Sequence, residues 1–199
     1  MLITTHYGSA NYAAMPWKNG GGTTIELARD TADGDYAWRI SIADITVEGP
    51  FSTFPGMARI ISVLEGGGMR LISDGQSSGD LLPSQSHAFD GGSSTTCTLL
   101  DGPIRDFNLI YRRDRFAARM EWIGFPAART FLSSADTMLV YCHGPETLVR
   151  VAAGQEILLA RDDLLRIENP GGPAQLSIRA ANEGPENEGR CAVVELCSL

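Results

Sequence analysis

Residues 61–71 read ISVLEGGGMRL, an apolar run that ends in three glycines and is followed at once by a second short run. Apolar runs of this length, broken by glycine, are typical of β-strands joined by tight connections. A further strand-like segment, SSGDLL, follows at 77–82, and a looser version of the set recurs as VYCHGPETLVRV at 140–151 and LARDDLLRI at 159–167. This succession of strands and turns predicts an all-β fold.

Short β-prone runs separated by glycine and proline continue along the chain, with turn signals every 8–12 residues or so, which indicates a sandwich or barrel. No stretch sustains a helical period, and Arg115–Trp122 is compatible with either a helix or a crossover strand. The predicted strands are Thr24–Ala28, Tyr36–Ile45, Arg59–Leu64, Gly68–Ile72, Thr95–Leu100, Asp106–Arg112, Met138–Cys142, Thr147–Val151, Glu156–Ala160, Leu164–Ile167, Gln175–Arg179 and Cys191–Cys197.

The chain divides into two halves of similar pattern, 1–113 and 114–199, with the segment to about residue 128 read as a bridge. Each half contains a glycine-ended strand, a further strand and an Asp-containing turn, so an internal duplication is plausible without a residue-by-residue repeat. The loop EGPENEGR at 183–190 is read as a solvated connector.

Composition narrows the function classes. The formal net charge of −8 argues against broad nucleic-acid binding and against an anionic membrane surface, since both favour basic proteins. The N-terminus lacks the features of a secretory signal, and no apolar run reaches the ~20 residues of a membrane helix. The four cysteines show no C-x-x-C spacing, and Cys191 and Cys197 are expected on one strand, too far apart to pair. We therefore expect a cytoplasmic protein with reduced, mostly buried thiols.

The stretch MPWKNGGGTT at 15–24 combines a cation and an amide, Lys18 and Asn19, with three consecutive glycines. Glycine runs suit a backbone that takes positive φ or approaches another group closely. Exposed backbone N–H groups beside Lys18 can hold a carboxylate or phosphate oxygen. The order of residues is not that of a P-loop, because no G-K-[ST] follows. A wide turn or bulge with Trp17 packed over it remains the alternative.

Two predicted strands carry alternating polar positions. In WRISIADI at 38–45, Arg39 and Ser41 point away from an apolar face, so they line either solvent or a pocket floor. In DFNLI at 106–110, Asp106 and Asn108 share one face, where they can orient a neighbouring arginine or bind ligand donors. A plain sheet surface is the alternative for both strands.

Other chemistry is not indicated. The three histidines, at 6, 87 and 143, are far apart in sequence, and no zinc or iron motif is present. No G-x-S-x-G elbow occurs, and no serine has an obvious base partner. The sequence therefore assigns no metal ligand, no cofactor and no catalytic residue.

Taken together, four stretches resemble the HutD/Ves family, which is associated with bacterial histidine utilisation and built as a two-cupin fold. They are MPWKNGGGTT (15–24), WRISIADI (38–45), GPFSTFPGMARIISVLEGGG (49–68) and GPIRDFNLIYRR (102–113). The resemblance implies two fused cupin-type β-barrels or sandwiches, a bicupin of the RmlC-like type. The pocket is expected in the half 1–113, and the half 114–199, which carries no comparable signature, is expected to be structural.

The spacing of metal-binding cupins, counted back from Gly66, places Ser52 and Phe54 at the histidine positions and Arg59 at the glutamate. In that register the metal ligands are absent and a cation replaces an anion, which suits an anionic ligand held by arginine. A buried Arg59 would need an answering charge, either Asp106 or a ligand carboxylate. The ligand-binding set implied is Trp17, Lys18, Asn19, Gly20, Arg39, Ser41, Phe54, Arg59, Asp106 and Asn108.

The leading hypothesis is a metal-independent binding or regulatory protein for a small carboxylate of histidine degradation, formylglutamate or a urocanate-like acid by family resemblance. The alternative is a metal-independent cupin enzyme, an isomerase, lyase or hydrolase of a small acid or sugar, with Lys18 or Asp106 as acid–base group. A third reading is an interaction scaffold whose glycine segment is only structural. The sequence leaves the oligomeric state open, a homodimer included.

Overall fold

The structure is a computed structural model that describes residues 2–17, 20–31, 34–124, 128–169, 171–182 and 189–199. Within these ranges the regular structure is β-strand, apart from one short 3-10 turn at Ser9–Asn11. The strands of the first 115 residues are β1 (Ile3–Tyr7), β2 (Ala14–Pro16), β3 (Gly22–Arg29), β4 (Trp38–Ile45), β5 (Gly49–Pro50), β6 (Met57–Glu65), β7 (Met69–Ser73), β8 (Gln76–Leu81), β9 (Ser86–Asp90), β10 (Thr95–Leu99) and β11 (Ile104–Arg112). The remaining strands are β12 (Phe116–Gly124), β13 (Arg129–Ser133), β14 (Thr137–His143), β15 (Thr147–Val151), β16 (Glu156–Leu159), β17 (Leu164–Glu168), β18 (Ala174–Ala180) and β19 (Arg190–Ser198).

The chain forms two compact units. The N-terminal unit comprises Tyr12–Arg115, and the C-terminal unit comprises Met1–Asn11 with Phe116–Leu199. The sequence reading assigned residues 1–113 to one half. β1 instead pairs with β17 from Ile3 opposite Glu168 to Tyr7 opposite Leu164, so the first strand lies with the C-terminal unit. Nothing in the short polar segment 3–7 marks that long-range pairing, which depends on β17.

Two antiparallel sheets make up the N-terminal unit. One has six strands in the order β2-β3-β4-β11-β6-β9, and the other has four in the order β5-β10-β7-β8. Their facing side chains form one buried core, because inward positions alternate along every strand. That core consists of Ala43, Ile45, Ile61, Val63 and Ile104 from the larger sheet with Met69, Leu71, Leu81 and Cys97 from the smaller.

The connection from β6 to β7 crosses between these sheets at Gly66–Gly68. Gly66 and Gly68 have φ of +97° and +112°, a region that favours glycine. A Cβ on Gly66 would lie 2.5 Å from the carbonyl oxygen of Pro103, and one on Gly68 would lie 2.7 Å from that of Leu81. The glycines that end the apolar run in the sequence are therefore required for both the bend and the close packing.

The C-terminal unit repeats the two-sheet arrangement with a five-stranded sheet, β1-β17-β14-β19-β12, and a four-stranded sheet, β13-β18-β15-β16. Its core also draws on both sheets, with Met138, Val140, Leu165, Ile167 and Val193 facing Val149, Val151, Leu159, Leu176 and Ile178. The four cysteines are free, and Cys191 and Cys197 both lie on β19.

The all-β prediction is confirmed, but closure into barrels is not: each sheet has two edge strands among the described residues, so both units are open sandwiches. Each of the twelve predicted strands matches an observed one within a few residues at its ends. Residues 116–122 are strand rather than helix, and β12 occupies much of the predicted bridge, where Phe116–Gly124 pairs with β19 along its whole length. Most of the predicted loop 183–190 lies outside the described residues.

Within the described ranges, no helix is long and apolar enough to span a membrane.

Candidate functional site

The candidate site lies on the inner face of the six-stranded sheet, the face that carries Ala43, Ile61 and Val63 into the core of the N-terminal unit. Residues directly opposite in antiparallel strands project to the same side. The strand register therefore arranges this face in three rows that cross the sheet. The rows change from cationic to apolar along the strands.

The first row holds three arginines and is called the arginine row below. Arg29 on β3 lies opposite Arg39 on β4. Arg39 lies opposite Ile110 on β11, which in turn lies opposite Arg59 on β6. Phe89 on β9 follows Arg59 at the edge of the sheet. Arg39 therefore has a cation beside it on one side and another two strands away on the other.

The second row crosses the sheet as Glu26, Ser41, Asn108, Ile61 and His87. Asn108 is buried, and Ser41 beside it is buried as well. Burial of the His87 imidazole lowers its pKa, which favours the neutral form. Ser41, Asn108 and His87 thus offer neutral polar groups in the row next to the arginines.

Glu26 and Arg29 form a bidentate ion pair, with Arg29 Nε and Nη2 donating to Oε1 and Oε2 at 2.6 and 2.7 Å. Residues three apart on a regular strand point to opposite faces, so they would not meet. A register shift between Glu26 and Ala28 brings both onto the inner face. The positive charge of Arg29 is therefore balanced within β3.

Arg59 is the most buried of the three arginines, with 6% of its surface exposed. Its Nε and Nη2 both donate to Oδ1 of Asn108, at 3.3 and 3.2 Å. Burial lowers the pKa of Arg59 to about 10, the charge of Asp106 opposes that change, and the charge of Arg39 adds to it. The guanidinium remains charged at neutral pH and is held by a neutral acceptor.

Aromatic rings surround the arginine row. The Cζ atom of Arg59 lies 5.1, 5.6 and 4.9 Å from the ring centroids of Phe51, Phe54 and Phe89. The Cζ atom of Arg39 lies 5.3 Å from the centroid of Tyr36 and 5.7 Å from that of Phe54. These separations allow cation–π attraction, which stabilises a guanidinium without neutralising it. Weak stabilisation of this kind leaves the N–H donors available.

Arg39 is half-buried, and its Nε is a buried donor that makes no hydrogen bond to any described residue. No described carboxylate forms an ion pair with it either. Buried polar groups of folded proteins are nearly always hydrogen-bonded, so such a donor indicates a missing acceptor. An anion would supply an acceptor of this kind.

The third row contains Thr24, Ala43, Asp106 and Val63. Asp106 is buried, and its Oδ1 has no hydrogen-bond partner among the described residues. Burial raises the pKa of Asp106 to about 7, against the opposing effects of the Arg59 charge and the Ala43 backbone N–H. The carboxyl group therefore titrates near neutrality at the apolar end of the site.

The predicted glycine segment connects β2 to β3 at the end of the sheet, beside this third row. The N–H of Trp17 donates to the carbonyl of Gly22 at 2.9 Å, and that of Gly20 donates to the carbonyl of Trp17 at 3.0 Å. The indole Nε1 donates to Oγ1 of Thr24 at 2.7 Å, and the ring packs against the core. Lys18 and Asn19 lie outside the described residues.

Of the residues predicted for the site, the structure brings together Arg39, Ser41, Phe54, Arg59, Asp106 and Asn108. Trp17 and Gly20 lie at the strand end beside Thr24 rather than next to the arginine row. The face of β4 that bears Arg39 is turned toward the second sheet and not to solvent, while Trp38, Ile40 and Ile42 are buried as well.

Sequence reasoning missed Glu26, Arg29, Tyr36 and Phe89. The alternation of β3 could have placed Glu26 beside Thr24, but the register shift that adds Arg29 has no sequence signal. Tyr36 falls in a predicted strand that begins only at Trp38 in the structure. Because Tyr36 precedes that strand, the alternation of side chains along it did not indicate where the Tyr36 ring lies. β9, which carries Phe89, was not predicted at all.

Metal binding is not indicated by the donor set. Among the described residues, no three His, Cys, Asp or Glu side chains cluster so that they could hold a metal ion. The three arginines would also repel a cation from the inner face.

Known proteins resemble this chain over nearly its whole length. A protein of Pseudomonas putida encoded 3′ of hutC is 45% identical over 190 residues, covering 94% of each chain. A conserved protein of unknown function from Pseudomonas aeruginosa PAO1 has a TM-score of 0.90 at 41% identity, covering 99% of this chain and 100% of that one. HutD from Pseudomonas fluorescens SBW25 has a TM-score of 0.82 at 39% identity over the same shares.

More distant structures share the cupin-like fold alone. They include a nickel(II)-bound pirin from Escherichia coli, with a TM-score of 0.66 at 11% identity over 99% of this chain and 100% of that one. Oxalate decarboxylase of Lactobacillus farciminis has a TM-score of 0.65 at 9% identity over 98% and 88%. The model of one family, HutD, matches residues 9–184, which confirms the resemblance found in the sequence. The chain belongs to the HutD family.

Proposed function

We propose that the protein binds a small anionic metabolite, with a carboxylate held between Arg39 and Arg59. The observation that carries this proposal is the buried, unbonded Nε of Arg39 beside a second guanidinium. A carboxylate is planar and accepts paired N–H donors, so it matches the donor that the protein leaves unused.

The balance of charge on the inner face supports the same ligand class. Glu26 neutralises Arg29, whereas Arg59 is held by the amide oxygen of Asn108, which carries no charge. Asp106 has a pKa raised to about 7 by burial and is therefore about half protonated at neutral pH. The site has a surplus of at least one positive charge, inside a protein whose net charge is −8.

The aromatic rings give the site a low-dielectric wall. Phe51, Phe54 and Phe89 surround the Arg59 guanidinium, so water has little access to it. Attraction between opposite charges strengthens as water is excluded. An anion that binds in the arginine row therefore gains more electrostatic free energy than it would beside an exposed lysine.

Histidine degradation supplies the candidate ligands. The Pseudomonas putida relative is named from its position beside hutC, and a structural relative is HutD itself. We extend that association to this chain and propose formylglutamate or a urocanate-like acid as ligand, bound in the N-terminal unit of a pair of cupin-type modules. Both acids carry a carboxylate for Arg39 and a polar group that can reach Asn108 or Asp106.

A metal-independent enzyme is the second candidate, and the observation that favours it is Asp106. A carboxyl group with a pKa near the working pH and an unbonded Oδ1 has the properties of a general acid or base. Incubation of each acid with the protein, followed by chromatography, separates the two functions. Conversion that is lost in Asp106→Asn while binding persists would assign an enzyme, and an unchanged metabolite assigns a binding protein.

The binding function is tested by calorimetric titration with formylglutamate, urocanate and glutamate. Arg39→Met is expected to weaken binding by about ten- to a hundredfold, because a charge-assisted hydrogen bond contributes about 1.5–3 kcal/mol. Arg70→Met is the matched control, since Arg70 lies exposed on β7 and pairs with Asp80. The proposal fails if none of the three acids binds, or if both variants bind as the wild type does.

A further inference from the structure

Asp106 is a buried carboxyl group that the described residues satisfy only in part. It is 3% exposed, and its Oδ1 has no partner among the described residues. Arg59, the cation whose charge acts on Asp106, directs two donors to Asn108 instead. An ionised carboxylate in such a place is costly, and protonation is the ordinary way to remove that cost.

Besides the backbone N–H of Ala43, which favours the charged form, the groups that face Asp106 offer little to stabilise its charge. Its neighbours across the strands are Ala43 on β4 and Val63 on β6, and the same core contains Cys97 from β10. Burial and the charge of Asp106 raise the pKa of Cys97 to about 12, so this thiol stays neutral. Asp44 on β4 opposes ionisation of Asp106.

Arg59 supplies the favourable charge that reaches Asp106. Its positive charge lowers the pKa of Asp106, although burial has the larger effect in the opposite direction. The same guanidinium belongs to the arginine row, two strands from Arg39. A ligand anion in that row would therefore compete with Asp106 for a single cation.

We propose that binding of an anion to the arginine row is coupled to the uptake of one proton by Asp106. The proposal rests on the proposed binding function and states how the same site is regulated. An anion beside Arg59 cancels the field that favours ionised Asp106 and adds a negative charge of its own. Asp106 then takes a proton from the solvent, and its carboxyl group becomes neutral. The positive charge of the arginine row then attracts only the ligand.

The direction of the pH effect follows from linkage. The pKa of free Asp106 is about 7, and bound anion raises it further. Proton uptake therefore accompanies binding above about pH 7, and affinity falls as the pH rises through that value. We expect about three- to tenfold weaker binding at about pH 8 than at about pH 6 for an acid that is fully ionised at both.

The test uses formylglutamate and glutarate as probes, because their carboxylates stay ionised across this pH range. Titrations in pairs of buffers that differ in ionisation enthalpy measure the protons taken up. The wild-type protein should take up about 0.2 to 0.9 of a proton per bound anion at about pH 8, in step with the size of the affinity change. Asp106→Asn should take up none and should bind equally well at both pH values.

His87 supplies the matched control, because it is a titratable group on the same face. Burial lowers its pKa below its ordinary value, so it is neutral where Asp106 titrates. His87→Gln should keep the wild-type proton uptake per bound anion, whatever its affinity, because that quantity depends on which group titrates and not on how tightly the anion binds. Uptake that disappears in His87→Gln and persists in Asp106→Asn would overturn the assignment to Asp106.

Carboxyl ¹³C NMR of the wild-type protein gives a second readout that needs no folded variant. The buried aspartate that titrates near neutrality should move to a higher midpoint when glutarate is added. A midpoint that stays constant while the probe binds overturns the coupling and leaves the binding function intact. Absence of binding by both probes at about pH 6 removes the coupling and the binding function together.

Discussion

Arg39 and Arg59 share the ring of Phe54, with their Cζ atoms 5.7 and 5.6 Å from its centroid. Two like charges are thus held near one aromatic ring, and Arg39 lowers the pKa of Arg59. Such an arrangement is unfavourable in the free protein, and the anion that we propose as ligand would relieve the repulsion. On that proposal, the site stores part of the binding free energy as reduced stability, as functional sites commonly do.

Replacement of Arg39 by Met tests whether the site lowers stability in favour of binding. The variant removes a repelling charge and an unbonded buried donor while keeping an apolar stem of similar length. Without ligand, we expect its melting temperature to equal or exceed that of the wild type, by about 1–3 °C. Added formylglutamate or glutarate should raise the melting temperature of the wild type and not that of the variant. A variant that is destabilised yet still shifted by these acids would contradict the relationship.

Asn108 positions Arg59 by accepting both of its hydrogen bonds, so two substitutions there should differ in kind. Asn108→Asp keeps the acceptor and adds a negative charge, which neutralises Arg59; the fold should persist while anion affinity falls about tenfold or more. Asn108→Ala leaves a buried guanidinium without its acceptor and should lower the free energy of unfolding by about 1–3 kcal/mol. Chemical denaturation and calorimetry measure the two effects separately. Equal affinities in Asn108→Asp and wild type would show that Arg59 does not meet the anion.

Gly91 fixes the segment that carries Phe54. The backbone N–H of Phe54 donates to the carbonyl of Gly91 at 2.6 Å, and that of Gly91 donates to Met57 at 2.9 Å. A Cβ on Gly91 would lie 2.9 Å from the Met57 carbonyl oxygen and 3.4 Å from Cγ of Arg59. Gly91→Ala should therefore destabilise the protein by about 1–3 kcal/mol and weaken anion binding, because the backbone at Met57 and Phe54 must shift.

The neighbouring Gly92 is the control for this change. Its Cβ would come no closer than 3.3 Å to Asp90 Oδ1 and 3.5 Å to Cα of Pro55. Gly92→Ala should cost less than about 1 kcal/mol and should leave affinity unchanged. Denaturation curves that coincide for the two variants would show that the close contact at Gly91 does not determine stability.

The sequence was sufficient for the two strands at the centre of the site. WRISIADI and DFNLI alternate clearly, so the shared faces of Arg39 with Ser41 and of Asp106 with Asn108 were predicted correctly from a period of two. Alternation does not say which face looks inward when both are buried, and β4 is buried on both. That question is decided by the second sheet, which sequence pattern does not place.

Other parts of the site depend on register shifts and strand pairings that the local sequence pattern does not indicate. The register shift after Glu26 turns Arg29 inward, and the pairing of β9 with β6 brings Phe89 to Arg59. The same limit applies to β1, whose polar residues 3–7 pair with a strand more than 150 positions away. Long-range pairing, and not propensity, determines these contacts.

Asp106 should also make stability depend on pH. Its folded pKa is raised from 3.8 to about 7, so the folded state holds a proton that the unfolded state has lost. The stabilising contribution is fully present below the unfolded pKa and is lost as the pH rises toward the folded pKa. Between about pH 4 and pH 7, the wild type should lose up to about 1.4 kcal/mol per pH unit relative to Asp106→Asn. The variant resembles the protonated form, so it should be the more stable protein at about pH 8 by up to about 4 kcal/mol. Urea denaturation of both proteins across this range measures the difference. Parallel pH profiles would mean that Asp106 titrates at its ordinary pKa in the folded protein, whereas profiles that diverge only above neutrality would assign the titration to another group.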